Sequence, residues 1–211
     1  MTKPLVILCA GGHGRVVADA ARVAGRRLAG FLDSEVRVGR VHEGATVLGG
    51  DGLLDDPVFV AGHDFIVATG VQALRRRLSL AVDAPGGWLA SIAHPSAIVA
   101  ASAEIGGGSF LAAGAIVNPG ARLGRVVIVN TGATVDHDDV LEDGVQICTG
   151  AHLAGLVTCR EDAFIGTGAA VIPGRSIGRR AIVGAGATVV HDLPDDVTAV
   201  GCPARVIKSV G

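Results

Sequence analysis

With 211 residues, the chain has room for one large domain or two small ones. Hydrophobic residues make up 49% of it, yet aromatics are only 3%, tyrosine is absent and glycine occurs 32 times, a mixture suited to thin layers of Val, Ile, Leu and Ala. A formal net charge of −2 excludes a general attraction to nucleic acid or to an anionic membrane surface.

Reading from the start, no leader pattern and no apolar run long enough to span a bilayer is found. Cys9, Cys148, Cys159 and Cys202 lack metal-ligand spacing. The expectation is a cytoplasmic protein with buried thiols and no bound metal.

Leu5-Val6-Ile7-Leu8 is a short apolar run, followed by Gly11-Gly12-His13-Gly14 and a helical pattern through Val16, Val17, Ala20 and Val23. Gly25 ends that helix, and Leu28 to Asp33 reads as a second strand. Strand, glycine turn, helix, strand is a βαβ unit, so a Rossmann-like α/β domain is expected over 1–84. Phe65 to Gly70 is a later strand of the same sheet. The helix after it carries Arg75, Arg76 and Arg77, which read as a solvated face with Arg75 as the one candidate for ligand contact. Ligands of open α/β sheets sit at the carboxyl ends of the strands, which would gather Gly11, Gly12, His13, Gly14, Asp33 and Gly70. Backbone N–H groups of a glycine turn ahead of a helix suit phosphate or another anion. The turn is not a full GxGxxG, and a glycine turn after a strand is often only a turn. His13 either touches a ligand or merely closes the loop.

Ala84-Pro85-Gly86-Gly87-Trp88 breaks the pattern, and 85–211 is expected to form a parallel β-helix with a C-terminal tail. His94-Pro95-Ser96-Ala97 reads as an entry turn, with His94 structural. Ile92 and Ile98 begin the phase, and an extra residue before Ile105 implies an irregular first coil. From Ile105, every sixth residue is inward-facing: Leu111, Val117, Leu123, Val129, Val135 and onward to Val189, all aliphatic except Cys159. Three places later the residue is often glycine, as at Gly108, Gly114, Gly120 and Gly132, and one further on it is usually small. A period of six fits neither a helix nor an ordinary strand; it marks a hexapeptide β-helix. Three hexads make a triangular coil of 18 residues. Each aliphatic stacks on its equivalents in neighbouring coils, and each such burial stabilises by roughly 1.5–3 kcal/mol.

Most outward positions are bland. The exception is Asn130-Thr131-Gly132-Ala133-Thr134-Val135-Asp136-His137-Asp138. His137 occupies the third place of its hexad, near a corner, and its stacked neighbours are Pro119 below and Gly155 above. Gly155 leaves a backbone N–H open to a ligand. Asp136, Asp138 and Asp139 flank the ring, and a carboxylate beside an imidazole orients one nitrogen and raises its basicity. A base near neutrality suits an amine or hydroxyl attacking a thioester. A surface histidine among solvated acids is the bland alternative.

The hexapeptide run with NTGATVDHDD, the following GAHLAG and the closing Val200-Gly201-Cys202-Pro203-Ala204-Arg205 resemble the sugar acetyltransferases of the left-handed β-helix superfamily. The resemblance extends from Gly11-Gly12-His13-Gly14 and Phe31-Leu32-Asp33 to the C-terminus. Its nearest group joins a nucleotide-sugar-binding βαβ domain to the helix and includes nucleotide-sugar N-acetyltransferases and sialic acid O-acetyltransferases. The resemblance implies a left-handed helix, against the usual crossover rule, and a homotrimer. It implies His137 as general base with Asp138 as partner, and Gly155 donating to the acetyl carbonyl. Gly184, Ala185, Gly186, Pro203, Ala204 and Arg205 would line the channel for acetyl-coenzyme A. Gly11, Gly12, His13, Gly14, Asp33 and Gly70 would hold a nucleotide-sugar. Many relatives carry a histidine where this chain has Gln146, which donates a hydrogen bond but cannot act as a base. His137 and Gln146 are half a coil apart, on different sides of one prism, so a site using both draws on two subunits.

The implied reaction is acetyl transfer to the amino group of a nucleotide-linked deoxyamino sugar, by direct attack. O-Acetylation of a sugar hydroxyl such as that of a sialic acid is the second enzyme reading. A non-catalytic nucleotide-sugar-binding trimer is the alternative of another class. A zinc-dependent carbonic anhydrase needs three converging histidines, and His137, His152 and His191 lack that spacing.

Overall fold

The computed structural model describes residues 2–209. The chain divides into two compact units between Pro95 and Ser96.

In the first unit the opening apolar run forms β1, Leu5–Leu8, with all four residues buried. β2 is Leu28–Leu32, β3 Val41–His42, β4 Ala45–Gly49, β5 Asp64–Val67 and β6 Trp88–Leu89. The sheet order is β3-β4-β2-β1-β5-β6, parallel except for the β3–β4 hairpin. A central parallel strand is covered on both faces, which is why β1 is continuously apolar.

Helix α1, Gly12–Val23, buries Gly14, Val17, Ala18 and Ala21 on one stripe. Val16 and Val23, read as part of the apolar pattern, stand largely in solvent. Gly25, at φ +75°, ends this helix as expected. A short helix α2 covers Pro57–Gly62, with the Asp56 side chain accepting from Val58 N at its start. Helix α3, Gln72–Asp83, buries Arg75, Leu78, Ser79 and Val82. That spacing is one helical stripe, so Arg75 belongs to the packed side and is only 1% exposed. The expectation of a solvated arginine face fails at this residue. The unit also extends past the expected limit at residue 84, because Trp88 and Leu89 add to the sheet beside Asp64 and Phe65.

The second unit is a left-handed parallel β-helix of two-residue strands. Fifteen of them, from Glu104–Ile105 to Thr188–Val189, each end on a residue of the six-step series. Partners lie one 18-residue coil apart, as in Ile116 with Thr134, Arg122 with Val140 and Ile128 with Gln146. The inward column is buried from Leu111 to Val189. The first coil keeps the six-residue register, since Val99, not Ile98, takes the inward place, six residues before Ile105, and pairs with Val117, but its Ser102 corner lacks the positive φ of later coils. No extra residue interrupts the register.

From Gly108 to Gly186 the fourth place of each hexad is a corner with positive φ, occupied mostly by glycine. Val126, Asp138, Leu156, Asp162 and Arg180 hold the same left-handed conformation at φ between 51° and 63°. Handedness of the corner is thus imposed by stacking and not by residue type. The chain closes with an antiparallel pair, Val197–Val200 against Arg205–Ser209. Among the described residues no helix is long and apolar enough to cross a membrane.

Candidate active site

In the second unit, the corner that follows strand Thr134–Val135 presents His137 to solvent. Its backbone is pinned from both sides: Asp138 N donates to Pro119 O at 3.1 Å, and Leu156 N donates to His137 O at 3.0 Å. The three flanking acids have different geometries. Asp138 is in the left-handed corner at φ 59°, which turns its carboxylate back so that Oδ2 lies 3.0 Å from His137 Nδ1. Asp136 Oδ1 accepts from His137 N at 2.7 Å and from Asn118 Nδ2 at 2.8 Å. Asp139 is fully buried; its Oδ2 accepts from Asp136 N and its Oδ1 from Val157 N, both at 2.8 Å.

These charges set the protonation of the ring. The Asp138 hydrogen bond, backed by the carboxylates of Asp136, Asp138 and Asp139, raises the His137 pKa above its usual value. With Nδ1 engaged by Asp138, Nε2 meets no hydrogen-bond partner among the described residues and is available to exchange a proton. The amide of His137 and the Asn118 side chain hold the Asp136 carboxyl below the ordinary carboxylate range.

Gly155 lies directly above the imidazole. A Cβ on it would stand 2.5 Å from His137 Cε1 and 2.8 Å from Cδ2, so the glycine is required for space. Some third-place amides bond to side chains, as Arg125 N to Asp143, Thr131 N to Asn130, Glu161 N to Glu142 and Arg179 N to Asp195, whereas those of Ala113, Asp143, Thr149, Thr167 and Ala185 meet no acceptor among the described residues. No acceptor among the described residues meets the Gly155 N–H. His137, Asp138 and Gly155 are therefore brought together as one cluster, an imidazole oriented by a carboxylate beside a glycine with an open N–H.

The remaining expected residues of this unit fall elsewhere. Gln146 starts a strand on another face, is 7% exposed and points Nε2 at Cys148 Sγ, 3.5 Å away. Gly184, Ala185 and Gly186 form the corner of the last full coil, with Ala185 and Gly186 exposed. Pro203 follows a cis peptide bond, Ala204 N donates to Thr188 O, and Arg205 opens the final strand.

In the first unit, a cavity of about 310 Å³ opens at the carboxyl ends of β1, β2 and β5. Gly11, Gly12, His13, Asp33 and Gly70 line it, joined by Arg77. Gly14 does not: a Cβ there would collide with the Cys9 carbonyl and meet Phe31, so this glycine serves helix–strand packing. Asp33 is an organiser of the rim. Its Oδ2 accepts from Ala10 N at 2.7 Å, and its Oδ1 accepts from Glu35 N and Val36 N at 2.9 and 3.1 Å. Ser34 and Arg77 both bond Asp51, holding that carboxyl low. Buried Arg75 donates to the Thr69 carbonyl just before Gly70. Burial and the nearby Arg75 charge push His13 down to about 4, so the ring is neutral near pH 7.

Sequence reasoning passed over Asn118, Ser34 and Asp51. Asn118 had a signal, since it lies one coil before Asp136. Ser34 and Asp51 had none, because their meeting depends on the parallel pairing of β2 with β4.

A small α/β unit followed in the chain by a left-handed β-helix with an exposed His–Asp corner defines the class. The first unit matches the model of the PglD N-terminal domain over residues 4–81. The acetyltransferase domain of PglB from Neisseria gonorrhoeae FA1090, in complex with acetyl coenzyme A, is 40% identical; the match covers 98% of this chain and 100% of that one at a TM-score of 0.92. PerB from Caulobacter crescentus, in complex with CoA and GDP-perosamine, is 39% identical over 97% of each chain at a TM-score of 0.91. The chain belongs to the hexapeptide-repeat sugar acetyltransferase family. The serine acetyltransferase of Bacillus licheniformis is 46% identical over 54 residues, 26% of this chain and 25% of that protein. The chain spans less than half the length of the first curated relatives it matches.

Proposed function

We propose that the protein is an acetyl-coenzyme A-dependent N-acetyltransferase acting on the amino group of a nucleotide-linked deoxyamino sugar. The observation that carries this reading is the exposed His137 with Asp138 on Nδ1 and with Gly155, whose N–H is open, packed against its ring. The kinship with proteins solved with acetyl coenzyme A and with GDP-perosamine supports the donor and the acceptor class.

In this reading the sugar amine attacks the thioester carbonyl, the N–C bond forms and the C–S bond breaks. His137 Nε2 takes the proton the amine loses, and the departing thiolate leaves as the free thiol once protonated. Asp138 keeps the acceptor nitrogen outward, and the Gly155 N–H stabilises charge developing on the carbonyl oxygen. The first unit holds the nucleotide, with amides of the Gly11–His13 turn facing its phosphates. Gly184, Ala185, Gly186, Pro203, Ala204 and Arg205 line the donor channel. The working assembly is a cytoplasmic homotrimer in which Gln146 comes from a second copy, and its product feeds polysaccharide assembly.

The test is thiol release from acetyl-coenzyme A against nucleotide-linked 4-amino and 3-amino sugars and against sialic acids. Turnover with an amino sugar, lost in His137→Ala and less reduced in Gln146→Ala, is expected. Turnover confined to hydroxyl acceptors, or a His137→Ala variant as active as wild type, would overturn it.

A further inference from the structure

The fifth place of a hexad is built for a small side chain, and alanine fills it at 115, 121, 133, 151, 163, 169, 181 and 187, all buried. Asp139 is the acid in that column, with no solvent exposure. A buried carboxylate is costly unless hydrogen bonds compensate it, and here each oxygen receives one amide. The partners belong to two coils. Asp136 N lies in the turn that presents His137, and Val157 N lies in the turn that presents Gly155.

Each of those amides has a reason to need an acceptor. In neighbouring corners the fifth-place N–H closes its own turn, as Ala133 does to Asn130 O, Ala151 to Cys148 O and Ala163 to Arg160 O. Val157 makes no such bond and relies on Asp139. Ser109 serves Val127 N in the same manner at 3.1 Å, so a neutral side chain with one acceptor suffices to hold a coil. The second arm, to Asp136 N, goes beyond that need. Asp136 in turn holds His137 N and Asn118, giving a continuous line of hydrogen bonds from the Gly155 turn to the His137 turn.

We infer that Asp139 is a positioning residue: its two carboxylate oxygens lock the turn carrying the base and the turn carrying the open N–H donor into one fixed geometry. This role rests on the acetyl-transfer reading of the same corner. The groups facing the carboxyl are Asp136 and His137 from its own turn and the buried thiol of Cys159 from the next coil. Burial pushes the Asp139 carboxyl up to about 7. Protonation there removes an acceptor and frees one of the two amides.

The experiment compares Asp139→Ser, Asp139→Asn and Asp139→Ala in the full chain. Melting, thiol release, His137 ring titration by NMR and amide exchange at Asp136 and Val157 are recorded. Asp139→Ser should melt close to wild type, as the Ser109 precedent implies, while kcat falls roughly 10–100-fold, the scale of a small misplacement of reacting groups. KM for the donor should move by less than about 3-fold, since only uniform binding would raise it. The His137 titration should shift to lower pH, and Asp136 amide exchange should rise. A folded serine variant with wild-type kcat, ring titration and Asp136 exchange would overturn the inference. If wild type itself transfers no acetyl group, the functional reading fails, and the titration and exchange measurements still decide the role of Asp139.

Discussion

Gly155 presses on the imidazole of His137 from one coil above, with room for a hydrogen but not for a methyl group. Its φ is not positive, so alanine meets no backbone penalty there. Gly155→Ala therefore tests space alone. The ring must turn away, breaking its 3.0 Å contact with Asp138, and kcat should fall by roughly 100-fold. Unchanged circular dichroism with this loss, read by thiol release, is the expected outcome.

In the proposed reaction the neutral form of His137 is the base, and Asp138 raises the pH at which that form appears. Activity should fall as pH drops through the raised pKa. Asp138→Asn removes the charge and returns the ring toward its ordinary value, so the acid limb of kcat/KM should move to lower pH. The plateau should drop as well, because an amide no longer holds one tautomer, within the range of about 10²–10⁴ that general-base catalysis contributes. A pH–rate profile of the two proteins checks both signs.

The left-handed corners give a stability test that is read without any turnover. Leu156 sits at φ 63° and is 59% exposed. A side chain in this conformation costs roughly 1–2 kcal/mol, whereas glycine costs roughly 0.5–1 kcal/mol in lost chain freedom. Leu156→Gly should raise stability by up to about 1 kcal/mol. Gly132→Ala, at φ 64° with no atom within 4 Å of the added Cβ, should lower it by about 1 kcal/mol on conformation alone. Denaturant melts of the two variants should therefore move in opposite directions.

The coils were legible because each inward residue answers to one neighbour 18 positions away, so a one-dimensional pattern carries a three-dimensional contact. The same arithmetic places Gly155 over His137 and would have placed Asn118 beside Asp136. What it cannot carry is the division of labour among Asp136, Asp138 and Asp139, which depends on which one takes the left-handed corner and which one turns inward. The first unit was legible as strand, glycine turn and helix. Arg75 was misread because three consecutive arginines suggest solvent, while the stripe Arg75, Leu78, Ser79 and Val82 sets the packed side. The hairpin Val41–His42 with Ala45–Gly49 has too short a first arm to show alternation.

His13 supplies a pH signature for the first unit. The folded protein resists protonating this ring down to about 4, while the unfolded chain takes the proton near 6.5. The unfolded state therefore binds more protons between those values, and stability should decline as pH falls from 6.5 toward 4. His13→Gln should flatten that part of the curve, read by denaturant melts across the interval.

Asp33 lines the cavity, yet its oxygens are committed to the amides of Ala10, Glu35 and Val36. It shapes the glycine loop from one side and its own turn from the other. Asp33→Ala leaves three amides to find other acceptors, which should cost about 1–3 kcal/mol of stability for a buried member of the set. Binding of a nucleoside diphosphate, measured by calorimetry, should weaken at least about tenfold, one decade for each 1.4 kcal/mol lost from the bound state. Asp33→Asn keeps one oxygen and turns an N–H₂ toward an amide, so it should rescue only part of the binding. Full affinity in the asparagine variant together with lost affinity in the alanine variant would mean that a single acceptor suffices to hold the loop.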